Sequence, residues 1–272
     1  MMAVKNSKLF LRVKSSIPWA LRHLALSLAV VCALGVLVFL VWFPWPFLEI
    51  SGGWSLLWLI FGVDVVCGPA LTLLLLHPGK LRKALLVDIA LISLIQISAL
   101  VYGVYSLHQA RPVALVFEVD RFRAVSYADI DTSHSATMPD WVKISSFSPP
   151  RILGVRAAKD VQEKIESVDA SLQGVEPAQR PHWWQEYELS LPQVKARAKP
   201  IDRLLALNPG LQTSIQDSAL RAAEKPQTNE VSRASELLWI PVVSARAMDW
   251  VAFVDPNSGR IRGYVRADGF GV

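Results

Sequence analysis

The sequence predicts a membrane protein in which a three-helix transmembrane region is followed by a soluble α+β domain. Three observations carry this reading. Apolar runs without Lys or Arg cover residues 24–43, 54–76 and 89–107, the second interrupted only by Asp64. At about 1.5 Å of rise per residue, each is close to the ~20 residues that cross a hydrocarbon core about 30 Å thick. Beyond residue 108 the chain turns polar, yet 52% apolar residues and a mean hydropathy of +0.33 remain high for a soluble chain.

With their flanks, the helices are expected over about 21–43, 54–76 and 84–107, after a tail of residues 1–20. Lys5, Lys8, Arg12, Lys14 and Arg22 precede or open the first helix, and Lys80, Arg82 and Lys83 fill the loop between the second and third. The loop 44–53 holds no Lys or Arg. The positive-inside rule then makes the first two segments cytoplasmic and places 44–53 and 109–272 on the other side of the membrane. Trp42, Trp45, Trp54 and Trp58 gather around the outer loop, where indoles favour the headgroup layer. The first run is about twice as long as a signal-peptide core and lacks an A-x-A-like site before Phe43, so it reads as a retained anchor.

Charge follows the same division. Residues 1–108 carry eight basic and three acidic side chains, and residues 109–272 carry twenty of each, so the whole net charge of +5 lies in the membrane half. It is a topology signal, and a phosphate-binding surface for nucleic acid is excluded. Cys32 and Cys67 fall inside expected spans, which leaves the exported domain without a disulfide framework.

In that domain, residues 113–119 alternate as a strand with Glu118 on the polar face, and the phase then flips at Asp120-Arg121, as a bulge or bend would make it. Two short helices are expected at about 158–171 and 177–187, with Pro177, Pro181 and Pro192 as punctuation. Residues 201–207 and 211–224 read as helical, 225–233 as a mobile polar loop, and 237–244, 249–254 and 259–266 as strands. Pro256-Asn257-Ser258-Gly259 marks a hairpin between the last two.

Chemical motifs are scarce. The chain has no G-x-S-x-G, C-x-x-C, H-E-x-x-H or G-x-G-x-x-G, and Gly79-Lys80 lacks the rest of a phosphate loop. His23, His77, His108, His134 and His182 are scattered, so neither a metal nor another cofactor is expected. Glu118 and Asp120 read as a strand-end charge pair beside Arg121 rather than as an acid/base pair. His182-Trp183-Trp184 with Tyr187 could form an aromatic platform, but Trp side chains in a core are the simpler reading. Arg260, Arg262 and Arg266 share one strand face and read as solvated.

The polar residues within the spans say more, because an ionisable group at bilayer depth is costly and is by default a functional candidate. Asp64 and Gln96 each lie twelve residues from the cytoplasmic ends of their helices, about 18 Å deep, where they could hydrogen-bond across the helix pair. Thr72 and Asp88, both about 6 Å deep, would form a second rung. Pro69 cannot donate to the carbonyl of Val65, so Gly62, Gly68 and Pro69 make a kinked, closely approachable stretch around the carboxylate. Polar glue between helices and a site facing a partner helix both stay open.

At these residues the chain resembles the type IV pilin accessory proteins of the TfpX/TfpZ kind. The matching blocks are Trp42-Phe43-Pro44 with Phe47-Leu48-Glu49 and Ser51-Gly52-Gly53, then Gly62-Val63-Asp64-Val65-Val66 with Gly68-Pro69-Ala70-Leu71-Thr72, and Pro78-Gly79-Lys80. Arg111-Pro112-Val113, Val116 through Arg123, Asp129-Ile130-Asp131 and Asp249-Trp250 add to it. Residues 1–19 are longer than the family's usual N-terminal segment and read as a cytoplasmic addition or a mis-assigned start. The resemblance implies a non-enzymatic inner-membrane factor with no cofactor that binds a type IV pilin through its membrane helix and its head, in contact with lipid and the pilus assembly machinery. It supports pilin stability, assembly or surface display. The interface candidates are then Asp64, Gly68, Pro69, Thr72, Asp88 and Gln96 in the membrane, and Arg111, Glu118, Asp120, Arg121 and Arg123 beyond it. The rival classes are a membrane-anchored envelope enzyme and a periplasmic sensor. The outer loop offers only Glu49 and Ser51 for chemistry, and the cytoplasmic segments are too small for an output domain.

Overall fold

The computed structural model describes residues 2–76, 79–133, 139, 141–142 and 144–271, with side chains from residue 14 onward. His77, Pro78 and His134 lie outside these residues. The chain forms two compact units, Met1–Val41 with Gly53–Gln109, and Trp42–Gly52 with Ala110–Val272.

The first unit is helical. α1 (Met2–Leu37) closes with a π turn at Val38–Trp42. After the short α2 (Phe47–Ile50), which belongs to the second unit, comes a helix in three pieces: α3 (Gly53–Phe61), a π-helical stretch at Gly62–Cys67, and α4 (Gly68–Leu75). α5 (Arg82–Ala110) follows. Lys14–Trp42, Gly53–Leu75 and Arg82–Ala110 are each long and apolar enough to cross a membrane. The first and third run several residues beyond their expected ends, because a helix need not stop where its apolar run stops. Around Pro69 the structure supplies a detail that the sequence left open. The turn before it widens, with Gly68 donating its N–H to the Val63 carbonyl, and Pro69 stands in the first turn of α4, where a missing N–H costs no hydrogen bond. α1 packs along α4, and Ser16 Oγ donates to the Leu76 carbonyl.

The second unit is built on one sheet. Its strands are β1 (Pro112–Glu118), β2 (Arg121–Ser126), β3 (Arg151–Val155), β4 (Trp184–Glu186), β5 (Lys199–Pro200), β6 (Leu238–Val243), β7 (Trp250–Val254) and β8 (Ile261–Arg266). Their order is β4-β3-β1-β2-β6-β7-β8, with β5 paired to one end of β6. β1 runs parallel to β3, and β2 parallel to β6; the remaining pairs are antiparallel. Around the sheet lie α6 (Val161–Leu172), α7 (Leu191–Arg197), α8 (Ile201–Leu207) and α9 (Gln212–Ala223). Leu115, Phe117, Phe122, Ile240, Val242, Ala252 and Val254 point to one face of the sheet and pack with Phe47 and Ile50 of α2. Trp239, Val251, Phe253 and Val265 point to the other and pack under α8 and α9. β6, β7 and β8 thus divide their alternate residues between these two cores, and the other face of β1 packs with Leu153 of β3 and Trp184 of β4 in a third.

Several expectations change. β1 is buried on both faces, because β2 and β3 flank it and packing covers both sides. The phase flip at Asp120-Arg121 is a hairpin: Glu118 pairs with Arg121 across a two-residue turn, so the chain reverses instead of bulging. The expected helix 177–187 is absent, since Pro177 and Pro181 each open a single 3₁₀ turn and Trp184 starts β4. β3 follows Pro149-Pro150 and carried too short a pattern to be expected. The polar loop 225–233 is tied down: Glu230 bonds Arg260, and the Val231 N–H donates to Asp255 at 2.9 Å. Nor is the arginine face of β8 uniformly solvated. The Arg262 side chain is 1% exposed and lies 3.2 Å from Asp255 and 3.3 Å from Glu230.

Candidate partner interfaces

Within the helical unit, the sequence candidates divide. Asp64 sits in the π-helical stretch and is buried, with its Oδ2 lacking a hydrogen-bond partner. Gln96 of α5 reaches the backbone carbonyl of Asp64, at 3.5 Å, and not its carboxylate. That approach requires Gly68, where a Cβ would stand 1.8 Å from Gln96 Nε2. The expected rung between Thr72 and Asp88 does not form. Thr72 Oγ1 lies 2.5 Å from His23 Nδ1 of α1, and Asp88 pairs with Lys80. Asp64, Gly68, Thr72 and Gln96 therefore come together with His23 as a partly buried polar seam joining α1, the second helix and α5. Pro69 is half-buried beside it, and Asp88 stands apart.

Sequence reasoning missed His23. It precedes the first apolar run by one residue and reads in the sequence only as one of five scattered histidines, although the helix containing it is membrane-length from Lys14. An ionisable ring nine residues into such a helix is itself a signal.

Away from this seam, α1 and α3 leave an open groove of about 700 Å³ between them. It is lined by Leu28, Val31, Cys32, Gly35, Val36, Phe39, Leu40, Trp54, Leu57, Trp58 and Phe61, without a charged side chain. From Leu28 to Leu40 it runs about 18 Å along α1. Gly35 opens its wall, and Phe39 and Trp54 meet at a ring distance of 5.9 Å on one side.

The candidates of the sheet unit are spread over both ends of β1. Arg111 is 1% exposed, with its guanidinium 5.2 Å from the ring centre of Tyr127, and burial lowers its affinity for a proton. About 24 Å away along the strand, Glu118 is 3% exposed. Its Oε2 accepts from the Ala178 N–H at 3.0 Å, its Oε1 has no partner, and burial raises its pKa against that hydrogen bond and the nearby Arg123. Asp120 and Arg121 pair at 3.6 Å on the surface of the turn. Glu118, Val119, Arg156, Lys164, Pro177 and Trp183 border an open groove of roughly 590 Å³ between this end of the sheet and α6. Trp183 and Trp184 are core residues. The Trp184 indole donates to the Ala178 carbonyl at 2.8 Å, and Trp183 lies under the guanidinium groups of Arg156 and Arg180 at 4.8 and 5.7 Å.

The loop between the first two long helices is a working part of this unit. Trp42 Nε1 donates to the Ser146 carbonyl at 2.7 Å, Ser244 Oγ donates to the Ile50 carbonyl at 2.6 Å, and Phe47 meets Tyr264 edge-on at 6.3 Å. Trp42 is thus buried in protein, in contrast to the headgroup position expected for it.

Residues 11–52, which include this loop, match the model of the family described as Fimbrial assembly protein FimB. Among curated proteins, the chain is 38% identical over 237 residues to the fimbrial assembly protein of serogroup I of Dichelobacter nodosus, covering 86% of this chain and 89% of that one. It is 37% identical over 236 residues to the serogroup E1 protein, with the same coverage of each chain, 86% and 89%. With the protein of serogroups C1 and C2 it shares 48% identity over 108 residues, 40% of this chain and 82% of that one. No solved structure matches. The resemblance to a pilus-biogenesis family is thereby borne out, and the chain belongs to the family of fimbrial assembly proteins.

Proposed function

We propose that this chain is a multi-pass inner-membrane accessory factor for type IV pilus biogenesis, which binds pilin and supports its stability, assembly or surface display by binding and not by catalysis. The observation that carries the proposal is the apolar groove between α1 and α3, about 18 Å long and without a charge. A subunit anchored by one apolar helix needs a lipid-facing cleft with a small residue in its wall, so that two helix backbones can approach; Gly35 occupies that place. The seam of His23, Asp64, Thr72 and Gln96 fixes the spacing of the helices that frame the groove. In this arrangement the N terminus is cytoplasmic by the positive-inside rule and the sheet unit is periplasmic. Arg123 and the Glu118 end of β1 are then available to the pilin head.

Photo-crosslinking in cells tests this, with the probe at Phe39, Trp58, Asp64, Gln96 and Arg123 in turn. Pilin adducts from Phe39 and Trp58 are expected. Adducts from those two positions to lipid alone, in cells making pilin, would remove the groove from the proposal. Replacing Gly68 by Val, whose side chain would collide with Gln96, is expected to lower the pilin recovered with the chain several-fold, because it forces the second helix and α5 apart. Asp88→Asn, at a half-buried ion pair that stands apart from the seam, is expected to leave recovery nearly unchanged.

A further inference from the structure

α6 is folded inside out. Its polar side is the anchored one: Arg156 binds Glu163 through two hydrogen bonds of 2.6 and 2.9 Å, and Arg180 binds Ser167 through its Oγ and its carbonyl, both at 3.1 Å. Asp160 caps the first turn by accepting from the Glu163 N–H at 2.8 Å. Ser167 is the helix's buried residue. The apolar residues Val161, Ile165, Val168 and Leu172 face outward, at 74, 58, 55 and 83% exposure. Their spacing of four, three and four residues is that of a coiled-coil seam, in which alternating steps of three and four keep one stripe turned to a second helix.

We propose that this stripe is the seam of a parallel helix pair with α6 of a second copy of the chain. The charges beside the stripe select that occupant. With Ile165 and Leu172 at the a positions and Val161 and Val168 at d, Lys164 falls at g and Asp169 at the following e, both exposed. A parallel pair sets Lys164 of each copy against Asp169 of the other, giving two symmetric ion pairs. In an antiparallel pair Lys164 would face Ser171, and Gln162 would face Asp169, with no ion pair. A lipid surface fits poorly, because the helix carries Glu163, Glu166 and Asp169 against one lysine and lacks the basic polar face that draws helices to anionic membranes. A contact of four apolar residues per copy is small for freely diffusing proteins. Confinement of both copies to one membrane raises their effective concentration. This inference is independent of pilin binding.

The test uses the full chain in its native membrane, with Cys32 and Cys67 replaced by Ser and single cysteines introduced as Ile165→Cys, Val168→Cys or Glu166→Cys. Oxidation is expected to give disulfide dimers from positions 165 and 168 and not from 166. Lys164→Glu, which sets like charges together, is expected to lower the yield roughly fivefold, and adding Asp169→Lys to restore it. Equal crosslinking at all three positions, or none at 165 and 168, overturns the proposal. Failure of the double exchange to restore the yield also overturns it. Both charged side chains are exposed, so their exchange leaves the fold intact.

Discussion

At the end of β1, two neighbouring residues stand against ordinary local preference. Glu118 is a buried carboxylate with one oxygen bound to the Ala178 N–H and the other unpartnered, and burial holds its proton more tightly than usual. At neutral pH the charged form is therefore a cost. Glu118→Gln keeps an acceptor for Ala178 and removes the charge, and we expect it to stabilise the sheet unit by about 1 kcal/mol at pH 7. The gain should vanish near pH 4, where Glu118 itself is protonated; thermal melts of the two proteins at both pH values check this. Val119 follows with a φ of 53°, a left-handed conformation that a β-branched residue adopts only under constraint, and its side chain is 66% exposed. Val119→Asn relieves that strain at little loss of burial, and urea unfolding should show a gain of about 1 kcal/mol. If it does not, the turn is held by contacts that favour this backbone in any residue.

Single elements show what a sequence reveals and what it conceals. The long helices were legible because their apolar runs are local, and so were β6, β7, β8, α8 and α9, whose patterns are strong and whose turns contain Pro, Asn or Gly. The resemblance around Asp64 falls on the stretch of the second helix that is π-helical in the structure. Its partner was not legible, since the pairing of Thr72 with His23 spans 49 residues and no local period encodes it. The role of α2 was hidden for the same reason. In sequence it is a bare connection between two apolar helices, whereas in the fold Phe47 and Ile50 complete the core of a sheet that begins sixty residues later. Likewise, α6 was legible as a helix but not as an inverted one, because an apolar stripe gives no sign of which side faces the protein. The test at α2 is direct. Ile50, with no exposed surface, should cost about 2–5 kcal/mol when cut to Ala, seen as a lower denaturation midpoint of the sheet unit. Trp45→Ala, at a side chain 66% exposed, should cost far less. Equal effects would mean that α2 does not contribute to the sheet's core.

For the molecule as a whole, the chain passes between its two units three times, and the sheet unit is closed by ion pairs between segments distant in sequence. Arg260 joins Glu230 across 30 residues, and Arg262 lies between Glu230 and Asp255 with all three side chains buried. Arg156 clamps Glu163 to hold α6. The hydrogen bond from Arg260 holds Glu230 down at about 2, and the one from Arg156 does the same for Glu163, against 4.5 for the free side chain. Between pH 4.5 and about 2 the unfolded chain binds protons that the folded unit refuses, so stability falls as the pH drops through that window and is constant above it. Glu118 acts in the opposite sense. Its raised pKa makes the folded unit bind a proton above 4.5, and acidification from neutrality towards that value relieves its cost. The melting temperature of the sheet unit should therefore rise gently as the pH falls from neutrality towards 4.5 and fall steeply below that value. Circular dichroism melts across pH 7 to 2.5 would show both limbs, with Glu118→Gln abolishing the gentle one and Glu230→Gln flattening the steep one. A steep limb unchanged by Glu230→Gln would place the acid sensitivity elsewhere in the fold.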